Sequence, residues 1–136
     1  MPVDPSVTGR TFPPTPPYVV SREKVVEFAR ATGSTYDGGA APATFPIVVA
    51  FQAMTALMGD ASVGIELHRV VHGEQRFTYT RPVVAGDELS ATLTVDTLRQ
   101  IGGADILGTR SEITDADGLP VCTAHATLVH RAEAAS

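Results

Sequence analysis

The chain has 136 residues, enough for one domain and too few for two, and 43% of them are hydrophobic, which favours a packed core over disorder. Its formal net charge of -5 argues against nucleic acid or an anionic membrane surface as a partner, because both call for a basic face. The single cysteine, Cys122, permits neither an internal disulfide nor a thiolate metal cluster, and its setting Val121-Cys122-Thr123-Ala124 reads as a strand with a small core residue.

The start, Met1-Pro2-Val3-Asp4-Pro5, has no basic segment followed by an apolar one, so no signal peptide is expected and the cytoplasm is the default compartment. Residues 1–17 carry Pro13, Pro14, Pro16 and Pro17 and should run as an extended arm. Tyr18-Val19-Val20 then leads into a helix. Ser21 suits its N-cap, Glu23 falls in the first turn, and Gly33 can end it; Val25, Phe28, Ala29 and Thr32 share one side.

A loop of small residues, 34–43, follows. Thr44 is expected to cap a second helix over about Phe45 to Gly59, with Pro46 tolerated in its first turn. That helix carries Ile47, Val48, Val49, Phe51, Met54, Leu57 and Met58, apolar nearly all round, so it should be covered on most sides. At this length it cannot span a bilayer, which takes about 20 residues, and no membrane association is expected.

Four strand-like segments come next: about 69–81, 88–100, 105–114 and 120–131. In the first, Val71, Phe77 and Tyr79 are expected on one face. In the second, Leu89, Ala91, Leu93 and Val95 alternate with polar residues. Ala85-Gly86-Asp87, Gly102-Gly103 and Asp115-Ala116-Asp117-Gly118 suit hairpin turns, which predicts an antiparallel meander with one buried face. The expected fold class is α+β, one long apolar helix held in a curved antiparallel sheet over 18–131, with an arm at 1–17 and a tail at 132–136.

Phe77-Thr78-Tyr79-Thr80-Arg81-Pro82-Val83-Val84-Ala85-Gly86-Asp87-Glu88-Leu89 resembles the F-x-x-x-x-P-V-x-x-G-D-x-L signature of MaoC-like hydratases and dehydratases, which have the hot-dog fold. Gly9-Arg10, Tyr18 through Gly33, and Arg69 through Phe77 are similar to the actinobacterial MaoC-like dehydratase N-terminal subgroup. That subgroup includes the substrate-binding subunit of the heterodimeric (3R)-hydroxyacyl-carrier-protein dehydratase of type II fatty-acid elongation. The resemblance covers nearly the whole chain.

It implies chemistry between a 3-hydroxyacyl thioester and a trans-2-enoyl thioester plus water, on acyl-ACP or acyl-CoA, with no cofactor. Catalytic members use an Asp and a His about five residues apart in the loop after the first helix, because elimination needs one group for the α-proton and one for the leaving hydroxyl. Here that loop, Gly33 to Pro42, holds no histidine, and Ser34 stands where the aspartate is expected. The segment is also shorter than in most relatives. No catalytic residue is therefore assigned, and Asp37 and His72 are fallback candidates.

The resemblance places Ala43, Thr44 and Phe45 where a thioester carbonyl meets the helix N-terminus. Phe51, Gln52, Met54 and Met58 are candidates for the acyl-chain wall. Gln52 is also the residue a hot-dog thioesterase would use to position water. His125 and His130 fall on opposite faces of the last strand, and no metal site is predicted. The expected role is an accessory acyl-binding subunit, paired with a catalytic MaoC-like hot-dog subunit or with a second copy. The alternatives are a stand-alone thioesterase or hydratase, and a non-enzymatic acyl-thioester binding module.

Overall fold

The computed structural model describes residues 3–131, so the tail expected at 132–136 lies outside the described residues. Helix α1 spans Arg22–Ala31, and Ser21 caps it by accepting the Lys24 N–H on its hydroxyl at 3.0 Å. Val25 and Ala29 face inward, and Gly33, at φ +73°, takes the left-handed conformation that turns the chain away.

Helix α2 spans Ile47–Met58, two residues later than the sequence suggests at its start. Thr44 is not its cap. Pro46 holds the N-cap position without a side-chain bond, and Thr44 is an exposed residue of the preceding turn whose carbonyl accepts the Ile47 N–H. A proline with helical φ can start the helix with no hydroxyl or carboxylate to help. Val49, Ala50, Ala53, Met54, Leu57 and Met58 are buried, whereas Phe51, Gln52 and Thr55 form an exposed stripe. The helix is thus covered on about half its circumference, less than its apolar composition implies.

The five strands are β1 (Tyr18–Val19), β2 (Val70–Tyr79), β3 (Glu88–Ile101), β4 (Ala104–Thr114) and β5 (Pro120–Arg131). Every pairing is antiparallel, in the order β1-β3-β4-β5-β2. The sheet is therefore not a plain meander: β2 crosses to the far edge beside β5. Two expected hairpins form. Gly102 and Gly103 both adopt positive φ between β3 and β4, and Asp115 caps the β4–β5 turn by accepting the Asp117 and Leu119 amides. Ala85-Gly86-Asp87 is no hairpin; it ends the crossover and pairs with Val20, whose carbonyl accepts the Gly86 N–H and whose N–H reaches the Asp87 carbonyl.

Leu89, Ala91, Leu93 and Val95 are each fully buried, so the period-two pattern in β3 marks the core face as expected. The core lies between that face and α2, with Phe45 set edge-on against Phe28 at 5.3 Å between ring centroids. Residues 3–17 include a short 3-10 turn at Pro5–Val7 and then follow the outer edge of β3. Gly9 and Phe12 donate backbone bonds to Val95 and Leu93, and Val3, Val7 and Phe12 enter the core. Two helices cradled by a curled five-stranded antiparallel sheet make this a single hot-dog domain. Among the described residues no helix is long and apolar enough to cross a membrane.

Candidate functional site

The sheet extends further than the helix covers it. Opposite residues of an antiparallel pair share a face, so Val70, His72, Phe77 and Tyr79, paired with buried His130, Leu128, Ala124 and Cys122, look toward the helix side. None of the four is buried. A β-bulge between His72 and Glu74 shifts the register, which puts Val71, opposite Val129, on the outer face. The expectation that Val71 shares a face with Phe77 and Tyr79 is thereby corrected, and Gly73 at the bulge is the sequence mark of the break.

Two cavities lie along the uncovered inner face of β2, one toward each end of the strand. The helix runs against the strand: Ala43, just before α2, meets Tyr79 at the end of β2, and Met58 lies near Val70 and His72 at its start. At the far end a cavity of about 180 Å³ is lined by Phe51, Met54, Met58, Leu67, Val70, His72 and Leu128. Three of the expected acyl-wall residues thus meet one fallback candidate there. Apart from His72 the lining is apolar. His72 is exposed, with Nε2 2.9 Å from Gln75 Oε1.

At the other end a cavity of about 330 Å³ lies between Ala40, Ala41 and Ala43 on one side and Tyr79, Thr80, Arg81 and Pro82 on the other. The Tyr79 hydroxyl donates to the Ala43 carbonyl, and burial pushes the phenol well above its usual range. Phe45, Ile47, Val48 and Val49 each donate to a carbonyl three residues back, and Pro46 has no N–H. Ala43 and Thr44 keep backbone amides with no acceptor among the described residues. The side chain of Phe45 is fully buried in the core and does not face the cavity.

The Pro82 to Leu89 signature turns out to be scaffold for this end. Asp87 accepts the Val84 N–H at 2.9 Å and holds Arg81 at 2.9 and 3.3 Å, while Arg81 also reaches Asp115 at 3.4 Å. One guanidinium thus ties the end of β2, the start of β3 and the β4–β5 turn together, and it keeps Tyr79 and Pro82 in register. Val83 and Leu89 anchor the same segment in the core.

The remaining candidates lie elsewhere. Asp37 is exposed, and its Oδ1 accepts the Gly39 N–H at 2.9 Å, a local turn bond. Gln52 lines neither cavity; with Phe51 and Thr55 it faces a shallow groove against Pro16, Pro17 and Tyr18. It stands roughly 100° around the helix from Phe51, so it points away from the acyl wall assigned to it. Among the described residues no Asp or Glu lines either cavity, and no three His, Cys, Asp or Glu side chains are grouped to hold a metal.

Sequence reasoning missed Tyr79, Leu67, Val70 and Leu128 as lining residues. Their approach depends on the crossover that takes β2 to the far edge, which no local pattern announces. It also missed a buried polar cluster under the far end: His130 and Asp105 are fully and almost fully buried, with Nδ1 and Oδ2 2.9 Å apart.

Three comparisons bear on this geometry. Residues 6–124 match the family model described as FAS1-like, dehydratase domain region. A UPF0336 protein of Leifsonia xyli subsp. xyli is 47% identical over 147 aligned positions, covering 98% of this chain and 99% of the relative. Because 98% of this 136-residue chain is only about 133 residues, about 14 positions inside the relative have no counterpart here. A chain of C-terminally truncated HadBC, a (3R)-hydroxyacyl-ACP dehydratase complex from Mycobacterium tuberculosis, is 32% identical with a TM-score of 0.78, covering 90% of this chain and 96% of that one. A MaoC-like dehydratase structure is 30% identical with a TM-score of 0.76, and this chain spans 42% of its length.

Proposed function

This chain belongs to the FAS1-like dehydratase-region family, and from that membership we propose that it is the acyl-binding, accessory subunit of a (3R)-hydroxyacyl thioester dehydratase. The observation that carries the reading is the pair of cavities along the uncovered face of β2. The one at the start of the strand is apolar but for His72, and among the described residues no carboxylate lines either cavity to remove or deliver a proton. Among the described residues His72 has Gln75 as its one hydrogen-bond partner, and Asp37 is spent on its own turn.

In this reading the acyl chain lies against Phe51, Met54 and Met58, and the thioester sits at the Ala43–Tyr79 end. There the free amides of Ala43 and Thr44 are the available donors to its carbonyl. The Asp and His come from a MaoC-like partner subunit, and the substrate is an acyl-ACP or acyl-CoA. Two features support a partner. The unpaired edge of β2 is ten residues long, with exposed Val71 and Leu67 beside it. The relative has about 14 internal positions that this chain lacks; if they belong to the short 34–43 loop, their loss leaves the cavities open for a second subunit to close.

Hydration of a trans-2-enoyl thioester, followed by loss of its ultraviolet absorbance, tests the proposal. The chain alone should be inactive, and activity should appear on adding a MaoC-like subunit that is itself incomplete. Full activity of the chain alone, abolished by His72→Ala or Asp37→Asn, would overturn it in favour of an enzyme complete in itself.

A further inference from the structure

The connector between α2 and β2 is fastened to the core by the buried side chain of Val63 and, three residues on, by a hydrogen bond to a buried ring. Glu66 donates its backbone N–H to His130 Nε2 at 3.0 Å. An amide can only donate, so Nε2 is unprotonated, and the ring proton sits on Nδ1, which donates to Asp105 Oδ2 at 2.9 Å. Asp105 is further held by the Val3 N–H at 3.0 Å and Gln100 Nε2 at 2.8 Å, and Gln100 also donates to the Val3 carbonyl. Burial alone would raise the Asp105 carboxyl; the hydrogen bonds from His130, Gln100 and Val3 outweigh it and keep the carboxyl below its ordinary range.

Four separated parts of the chain meet there: the N-terminal arm, the connector, the β3–β4 hairpin and the end of β5. The charged groups around the ring are few. β4 contributes Asp105, and the connector contributes Glu66 and Arg69, whose side chains pair with each other at 2.6 Å. The arm contributes Asp4, whose carboxylate accepts the Ser6 N–H. β3 contributes neutral Gln100, β2 the apolar Val70, and the α2 end facing the core is Met54, Leu57 and Met58.

We infer that the Glu66–His130 bond is an acid-released latch on the wall of the 180 Å³ cavity, an inference that rests on the proposed acyl-binding role. A second proton on His130 can enter only at Nε2. It would face the Glu66 N–H with another N–H, while Asp105, still a carboxylate, would hold the imidazolium in place. The connector then loses its hydrogen bond to the ring beyond Val63, while Val63 stays in the core and the arm keeps its own anchor. Leu67, the residue after Glu66, lines the 180 Å³ cavity, so release of Glu66 loosens that wall.

The test follows amide hydrogen exchange of the whole chain from about pH 8 to about pH 5, together with the nitrogen-15 signals of the His130 ring. Exchange at Glu66, corrected for intrinsic pH dependence, should rise about tenfold or more relative to Leu57, the scale of one lost buried hydrogen bond. It should rise as Nε2 gains its proton, and binding of a fluorescent acyl-CoA should change over the same interval. His130→Gln keeps a donor and an acceptor but cannot titrate, and should abolish the pH dependence. If that variant does not fold, the wild-type ring signals and Glu66 exchange decide alone. A ring that stays singly protonated down to global unfolding, or Glu66 protection that tracks Leu57 throughout, overturns the latch and leaves the acyl-binding role standing. Absence of acyl-CoA binding at every pH, by the chain alone and with a MaoC-like subunit, overturns that role and the gating with it.

Discussion

Replacing Asp105 asks how much the buried cluster contributes to the fold. Three donors converge on its carboxylate, from Val3, His130 and Gln100, at 2.8 to 3.0 Å, in a site almost closed to solvent. Asp105→Ala leaves all three donors buried without that partner, at about 1–3 kcal/mol for each unsatisfied group, so the total loss should be about 3 kcal/mol or more. Asp105→Asn is a milder change. Its carbonyl oxygen can stand at Oδ2 and accept from Val3 and His130, but its amide then meets the Gln100 amide. Gln100 must turn over, which gives up its bond to the Val3 carbonyl. The net loss should be about 1–2 kcal/mol. Urea unfolding at neutral pH, read as midpoint and slope, measures both. The pH dependence adds a sign. A carboxyl lowered in the folded state stabilises above its unfolded value of 3.8 and stops doing so as pH falls through the lower folded value. Wild type should therefore lose stability in that acid window and Asp105→Asn should lose less. Equal losses for the two variants, or a loss under about 1 kcal/mol for Asp105→Ala, would refute the account of a charge held by three donors.

Gly108 has no room for a side chain, since an added Cβ would clash with Thr97 Oγ1, where the β3 bulge brings that threonine across. Gly108→Ala should cost about 1–3 kcal/mol, and a double variant with Thr97→Ala should recover most of it in the same denaturation assay. Ser21→Ala should cost about 1 kcal/mol through the lost α1 cap, whereas Thr44→Ala should stay within about 0.5 kcal/mol because Thr44 caps nothing. Burial pushes the Cys122 thiol up to about 11, so a disulfide reagent at mildly alkaline pH should modify the native protein about a hundredfold more slowly than the unfolded chain.

The sequence carried the sheet well where one face is buried: the alternation in β3 and the paired glycines of the β3–β4 turn are local signals, and both appear in the structure as read. It carried less where geometry is non-local. The single glycine of the β2 bulge inverts which residues point inward, so Val71 fell on the wrong face by counting. The exposed stripe of α2 was hidden because composition reports how apolar a helix is and not how far a sheet curls around it. His130 and Asp105 are 25 residues apart and meet only through strand register. The signature at Pro82 to Leu89 was legible as a family mark, and its job of bracing the crossover through Arg81 emerged only from the ion pairs.

The N-terminal arm has a consequence for stoichiometry. By lying along β3 from Gly9 to Thr15 it occupies backbone groups on one margin of the sheet, and β1 takes those just beyond. The long unpaired margin is then β2. Two sheets that join through β2 consume the free margin of both, so such an assembly terminates at two chains and cannot grow into a ribbon. An arm detached from β3 would reopen the second margin, and a closed pair would become the first unit of a polymer.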